Sequence, residues 1–165
     1  MADDYDVPEI DPGTLDLSTV VADIDVIRQY NPHRHEFEML SAITQIDRGA
    51  KRIIGYKDCA ADDFWARGHL PDFPLLPGVL MCEAAAQLCA FYGSYLKITN
   101  THLTGLAGIE MAKFRRIVQP GERLILVGHG LRTDRRLMRF HVRGYVGAEL
   151  AFETVVVGVP LKAAG

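Results

Sequence analysis

The alternation of apolar and polar residues predicts a chain built mainly of strands, with one long helix near its middle. The stretch from Met39 to Asp58 predicts two strands around a turn at 47–50, and four more strand segments follow the helix. These segments read IEMAKFRRIV, RLILVGHGLR, RRLMRFHVRGYV and ELAFETVVVGVPL, and turn residues separate them. Because the four come in succession at short spacing, we predict an antiparallel meander.

The segment RRLMRFHVRGYV shows the clearest alternation. Three apolar side chains point one way and three basic ones the other: Met138, Phe140 and Val142 against Arg139, His141 and Arg143. This pattern is typical of a half-buried strand with one wet face. The basic face could be a binding surface, but we expect a solvated strand face.

The helix in the middle of the chain is apolar on almost every side. Its sequence, VLMCEAAAQLCAFYGSYL, follows Pro77, which suits a first helical position, and runs without a breaker to Gly93. A helix that is apolar all round is a buried helix. One buried helix wrapped by a long antiparallel sheet predicts an α+β fold.

A shorter helix is predicted near the start, in LDLSTVVADIDVIRQY, ending before Asn31 and Pro32. Its apolar residues recur at helical spacing: Leu17, Val20, Val21, Ile24 and Ile27. Residues 1–25 hold eight acids and no base. We therefore expect an acidic N-terminal extension over 1–25 and one domain over 26–165, whose own formal charge is about +5.

Composition excludes several classes of protein. The three cysteines show no metal-ligand spacing, so we expect reduced thiols and no metal site. An acidic N-terminus is unlike a secretory or transit peptide, and no apolar run is long enough to span a membrane. There is no nucleic-acid-binding motif or dense basic patch. We expect a cytoplasmic protein that binds neither nucleic acid nor membrane.

Candidate chemistry lies in the helix and in the loop before it. Glu83 and Gln87 are four residues apart and share one helix face. A carboxylate in an apolar helix is retained mainly where it is paired or used. The preceding loop, GHLPDFPLLPGV, is stiffened by three prolines and carries His69, a residue able to act as acid or base. Gly78, without a side chain, leaves the amides at the helix start open to an oxygen.

These residues carry a family resemblance. The run GHLPDFPLLPGVLMCEAAAQ closely resembles the active-site segment of the FabZ-type 3-hydroxyacyl-[acyl-carrier-protein] dehydratases, usually written GHFPxxPxMPGVLxxEAxAQ. The likeness extends upstream to PHR at 32–34 and downstream to GIEMAKFRRIVQPGERL, which is similar to the family's GIDxARFRRPVxPGDxL.

The resemblance implies a hot-dog fold, in which an antiparallel sheet wraps around the long helix. It also implies a homodimer with two sites at the interface, where the histidine of one subunit faces the glutamate of the other, and often a further assembly of three dimers. Carried over by position, His69 and Glu83 are the catalytic pair. The amides at Gly78 and Val79 polarise the thioester carbonyl, and Gln87 supports Glu83.

The reaction implied is dehydration of 3-hydroxyacyl thioesters to trans-2-enoyl thioesters in fatty acid biosynthesis, without a metal or organic cofactor. His69 removes the proton beside the thioester carbonyl and Glu83 protonates the departing hydroxyl. The implied partner is acyl carrier protein, an acidic protein, and Lys113, Arg115 and Arg116 are candidates for contacting it.

The sequence departs from the family pattern in three places. Ser41 and Ala42 replace an Asp and an Arg, Leu70 replaces a Phe, and a Pro-Phe-Phe run is replaced by Phe64, Trp65 and Ala66. Two other functions stay open at this point: a hot-dog acyl thioesterase, which would use the helix carboxylate to activate water, and a non-catalytic subunit that binds acyl thioesters.

Overall fold

The computed structural model of the chain describes residues 5–101 and 103–162. Within these residues the helices are α1 (Ile24–Tyr30), α2 (Phe64–Gly68) and α3 (Gly78–Tyr95), and the strands are β1 (Ala42–Asp47), β2 (Arg52–Asp58), β3 (Thr104–Phe114), β4 (Arg123–Thr133), β5 (Met138–Val146) and β6 (Glu149–Pro160). None of these helices is long and apolar enough to cross a membrane.

The six strands form one antiparallel sheet in the order β1-β2-β4-β5-β6-β3. The predicted hairpin of β1 and β2 and the four later strands are confirmed. The predicted meander of those four strands is wrong for β3, which pairs with β6 at the far edge of the sheet. The position beside β4 is occupied by β2, so only β4, β5 and β6 follow one another as neighbours. As a result, β3 is an edge strand.

The long helix α3 packs across the inner face of the sheet and contributes seven of the buried residues of the main core. Gly93 allows a close approach to β5, because a Cβ atom there would lie 2.5 Å from the sulfur of Met138. An antiparallel sheet wrapped around one long helix confirms the predicted α+β hot-dog fold.

The helix is not buried on every side, as its sequence had suggested. A stripe of α3 that includes Val79, Glu83, Ala86 and Ala90 is less enclosed than the rest, and Val79 is 74% exposed. These positions are three or four residues apart and therefore lie on one face of the helix. The candidate acid Glu83 thus stands on the open face of α3, not in the core.

The N-terminal segment differs from its prediction. The first helix ends at Tyr30 as expected but begins only at Ile24, where the Asp23 side chain accepts a hydrogen bond from the Val26 amide. Before it, the chain is held in extended form beside β1, because the Val21 and Ala22 amides both donate to the Ile43 carbonyl. Tertiary pairing with a strand has outweighed the helical spacing of the apolar residues.

The outer face of the sheet is covered in part by the N-terminal segment. Side chains from the N-terminal segment pack on a second cluster that belongs to this face: Ile10, Leu15 and Leu17 against Ile54, Ile125, Val127 and Tyr145. The ring of Tyr5 lies 5.4 Å from that of His141, which is only 2% exposed. The expectation of a wet basic face on β5 is therefore wrong at His141.

Burial has a consequence for the charge of His141. Burial lowers the pKa of this imidazole to about 4. The nearby Arg143 guanidinium also lowers this pKa, whereas the carboxylate of Glu153 raises it. Its cross-strand neighbour His129 is also buried, and its pKa is lowered by burial and by Arg52 and Arg143. Both rings are therefore neutral near pH 7.

Candidate active site

The loop before α3 fixes the ring of His69. This residue directly follows the short helix α2 as its C-cap, and its backbone amide donates to the Trp65 carbonyl at 2.7 Å. The ring atom Nδ1 lies 2.9 Å from the carbonyl oxygen of Leu75. Because a carbonyl can only accept, Nδ1 must carry a hydrogen, and in the neutral ring Nε2 then keeps the lone pair. His69 is therefore presented as a base at Nε2.

The residue after the histidine has an unusual backbone conformation. Leu70 has a φ of 57° and is 52% exposed. This left-handed region is disfavoured for a bulky side chain, and such strain concentrates at functional sites. The turn that places His69 is thus held by the rest of the loop, because the backbone preference of Leu70 does not favour it.

His69 opens into a wide groove of about 580 Å³ at the start of α3. Gly78 and Val79 line the same groove, together with Phe114 at the end of β3. A Cβ atom at Gly78 would lie 2.8 Å from the Phe114 ring, so the glycine is required for this aromatic side chain to cross the helix start. This is a packing reason for the glycine that the sequence did not suggest.

The start of α3 can supply hydrogen-bond donors to the groove. The residue before the helix, Pro77, provides no side-chain cap, and the first amides of a helix have no acceptor within it. The amides of Gly78 and Val79 are at this position. An oxygen that develops negative charge in the groove would be stabilised there.

Glu83 lies in a second cavity on the open face of α3. This cavity of about 160 Å³ is also lined by small residues, among them Ala86, Ala90 and Gly105. The side chain of Glu83 is 25% exposed. The lining of this cavity runs from Glu83 to Ala90, seven residues or about 10 Å along the helix.

Gln87, the residue predicted to support Glu83, lies against its carboxyl group. The Gln87 amide group donates to Oε1 of Glu83 at 2.8 Å and to the Phe37 carbonyl at 2.7 Å. Its own Oε1 accepts from the Met39 amide at 3.0 Å. These contacts fix which end of the Gln87 side chain is nitrogen, so Oε1 of Glu83 is an acceptor.

A further residue, His33, reaches the same carboxyl and was not singled out by sequence analysis. Its Nε2 lies 3.5 Å from Oε1 of Glu83. Burial lowers the pKa of His33, Glu83 raises it and Arg34 lowers it. The signal that could have identified it was present, because His33 is the central residue of the PHR segment.

The structure divides the predicted site residues between two places in one chain. His69, Gly78 and Val79 line the groove, and Glu83 and Gln87 line the cavity. The basic candidates Arg115 and Arg116 lie at the groove, but Arg115 pairs with Glu153, and Arg116 pairs with Glu122 and Glu149. Lys113 lies on β3 and lines neither of them.

The departures from the family pattern leave both halves intact. The hydroxyl of Ser41 accepts from the Asp58 amide at 2.9 Å, and Ala42 is buried at the start of β1. Trp65 is buried in α2 and contributes to the core beneath the histidine turn. Across residues 5–101 and 103–162, no three His, Cys, Asp or Glu side chains are placed to bind a metal ion.

Comparison with known proteins places the chain in a family. The FabA-like domain matches residues 31–155. The chain is 37% identical over 131 residues to a 3-hydroxyacyl-[acyl-carrier-protein] dehydratase FabZ from Desulforamulus reducens, covering 79% of this chain and 92% of that protein. It is 33% identical over 127 residues to the FabZ of Clostridioides difficile, covering 77% and 89%.

Solved structures share the fold at low sequence identity. The chain superposes with a TM-score of 0.69 and 16% identity on a chain of the dehydratase heterocomplex ApeI:P from Xenorhabdus doucetiae, covering 83% of this chain and 91% of that one. Cj0977, a sigma28-regulated virulence protein from Campylobacter jejuni, matches with a TM-score of 0.61 and 17% identity over 90% and 96%. At this identity the likeness supports the fold alone.

Proposed function

The chain belongs to the FabA-like domain family, among its FabZ-type members, and on that premise we propose that it dehydrates 3-hydroxyacyl-[acyl-carrier-protein] thioesters. The product is the trans-2-enoyl thioester, an intermediate of fatty acid biosynthesis. The observation that carries the proposal is the tautomer of His69, which the Leu75 carbonyl holds with a lone pair at Nε2. A base in this state suits proton abstraction near neutral pH.

In the proposed reaction, Nε2 of His69 takes the proton from the carbon next to the thioester carbonyl. The electron pair of that C–H bond forms the new double bond as the C–O bond to the hydroxyl breaks. The departing oxygen takes the proton of Glu83 and leaves as water. Histidine is left protonated and glutamate ionised, and the transfer of one proton back to Glu83 restores both groups.

The start of α3 would stabilise the transition state. Removal of a proton next to a carbonyl moves negative charge onto its oxygen. Gly78 and Val79 line the groove that holds His69, and their amides, at the start of the helix, would offer hydrogen bonds to that oxygen. No group other than side chains and amides of the protein is required by these steps.

A second copy of the chain would bring the two halves together. β3 is an eleven-residue edge strand with exposed apolar side chains at Leu106, Ile109 and Phe114. Such an edge is suited to pairing with another strand. Its first residues line the Glu83 cavity and its last residue lines the His69 groove. Antiparallel pairing of two copies of β3 therefore sets the cavity of one beside the groove of its partner.

The substrate partner in this proposal is acyl carrier protein, for which the basic charge of residues 26–165 is of suitable sign. Lys113 remains a candidate contact. Arg115 and Arg116 are engaged with carboxylates and could contact the carrier only by exchanging partners. The separate acidic extension, the assembly of three dimers and the cytoplasmic location stay predictions.

The test of the proposal is the hydration of a crotonyl thioester, which is monitored through the decrease in absorbance of the substrate. We expect reversible hydration by the protein, and about 10²- to 10⁴-fold lower rates for His69→Ala and Glu83→Gln. Matched controls are His35→Ala and Glu36→Gln, two exposed residues of the same chain.

Two results would contradict the assignment. One is an unchanged rate in both His69→Ala and Glu83→Gln. The other is thiol release without hydration, which is the reaction of a thioesterase.

A further inference from the structure

The carboxyl of Glu83 has two chemically different oxygens in this structure. Two groups converge on Oε1: the amide of Gln87 at 2.8 Å and the Nε2 atom of His33 at 3.5 Å. The orientation of Gln87 is fixed by the backbone on both sides, so its contact with Oε1 is a donated hydrogen bond. A protonated carboxyl that accepts at one oxygen carries its hydrogen on the other.

The ring of His33 has one arrangement that suits its surroundings. Its Nδ1 atom is buried and has no hydrogen-bond partner within residues 5–101 and 103–162. A hydrogen on Nδ1 would bury an unused donor and would direct the Nε2 lone pair at the oxygen of Glu83. A hydrogen on Nε2 avoids both costs, because it directs a donor at Oε1.

The segment that carries His33 is anchored to α3 beside the carboxyl. The Asn31 side chain donates to the backbone carbonyl of Gln87 at 3.0 Å. On the other side, the Arg34 guanidinium donates to the carbonyls of Arg28, Asn31 and His33. His33 is thus held between two fixed points, and burial keeps it neutral by lowering its pKa.

We infer that His33 is a positioning residue that acts with Gln87 to hold Oε1 of Glu83 as an acceptor, so that Oε2 is the atom that gives its proton to the departing hydroxyl. The inference rests on the dehydration proposed above. In that step the hydroxyl oxygen receives the hydrogen of Oε2 together with the electron pair of the breaking C–O bond. Glu83 is left as a carboxylate whose charge at Oε1 faces two donors.

The kinetic test compares two substitutions of His33. Glutamine places an amide nitrogen near the position of Nε2, and phenylalanine keeps the ring shape without a donor. We expect kcat of His33→Phe to fall about tenfold with KM within about twofold. His33→Gln should stay within about threefold of the unmodified protein, and so should the control His35→Gln, whose histidine is exposed.

A structural role predicts a different outcome. If His33 only filled space, phenylalanine would be tolerated at least as well as glutamine, and that order of rates would overturn the inference. Thermal unfolding of both variants shows whether either loses the fold.

A second measurement does not depend on activity. Nitrogen NMR of the histidine rings, assigned with His33→Gln, reports which ring nitrogen of His33 carries the hydrogen at pH 7. We expect the Nε2–H form, which directs a donor at Oε1 of Glu83. An Nδ1–H form would overturn the inference, whether or not the protein hydrates crotonyl thioesters. Absence of hydration would instead count against the proposed function.

Discussion

The Glu83 cavity and the His69 groove differ in how they hold their reactive group. Glu83 lies in a cavity of about 160 Å³, where Gln87 and His33 both approach a single carboxyl oxygen. His69 opens into a groove of about 580 Å³ and is held through one ring contact with the Leu75 carbonyl. The acid has two polar side chains beside one of its oxygens, and the base has one ring contact with the backbone.

This difference corresponds to what each group must do. A general acid must present its proton on a defined oxygen, which requires contacts at the other one. A base must only keep its lone pair free and meet the substrate. In the reaction we propose, each chain supplies two half-sites, and dehydration requires both of them. The comparison predicts that contact between two chains has the largest effect on activity.

Ile109 in the middle of β3 provides the strongest test of that contact. Its side chain is 44% exposed on the edge strand. We expect Ile109→Lys to place a charge in the apolar edge, to yield a monomer by sedimentation analysis and to lower kcat/KM by about 100-fold or more. Both halves would stay folded but apart.

Val20 supplies the matched control, since it is 47% exposed on the N-terminal segment. Val20→Lys should leave the dimer and its activity unchanged. A fully active Ile109→Lys monomer would show that one chain completes the site by itself.

Gly78 tests the groove without changing the cavity. A methyl group there meets the Phe114 ring at 2.8 Å, so Gly78→Ala should displace either the ring or the helix start. We expect kcat/KM to fall about tenfold and stability to fall by about 1 kcal/mol. Steady-state kinetics and denaturant unfolding measure the two effects.

Gly49→Ala is the control for that substitution, because a Cβ atom there would lie at an ordinary 3.5 Å from the Asp47 side chain. If kcat/KM of Gly78→Ala equals that of Gly49→Ala, the start of α3 has no part in catalysis.

His141 lies outside both halves and should affect stability alone. Its folded pKa of about 4 is below the ordinary value of 6.5, so the unfolded chain binds a proton that the folded chain does not between these two pH values. Stability should therefore fall as the pH falls from 6.5 towards 4, by about 2 kcal/mol at pH 5.

We expect His141→Phe to reduce this loss and to leave kcat/KM at neutral pH unchanged. Urea unfolding at pH 7 and pH 5 measures the difference, with His35→Gln as the exposed control. An equal loss of stability in His141→Phe and the unmodified protein would assign the pH dependence to other groups.

The sequence predicted where the strands and the long helix lie in the chain better than it predicted which strands pair with each other. Alternation and turn residues located all six strands and the long helix, since these signals are local. The place of β3 beside β6 depends on which strand occupies the position next to β4, and no local pattern records that. The cover on the outer face was missed for the same reason, because the apolar residues that pack on it come from the distant N-terminal segment.

The site shows the same division. The GHxP and helix motifs predicted His69, Glu83 and Gln87 as site residues, and the side chain of Gln87 donates to Glu83. His33 was missed because fifty residues separate it from Glu83 in the chain, and only folding brings its ring to the carboxyl. The separation of His69 and Glu83 within one chain was anticipated only through the resemblance to a dimeric family.

The central claim is that the groove of one chain and the cavity of another form one catalytic site. The direct test is to mix His69→Ala and Glu83→Gln proteins under conditions that exchange subunits, and to measure crotonyl thioester hydration. Each variant alone should be inactive. After random exchange about half of the dimers are mixed, and each mixed dimer should contain one intact site out of two. The mixture as a whole should therefore show about a quarter of the unmodified activity. If mass spectrometry shows mixed dimers and the mixture stays inactive, the two halves do not complete each other.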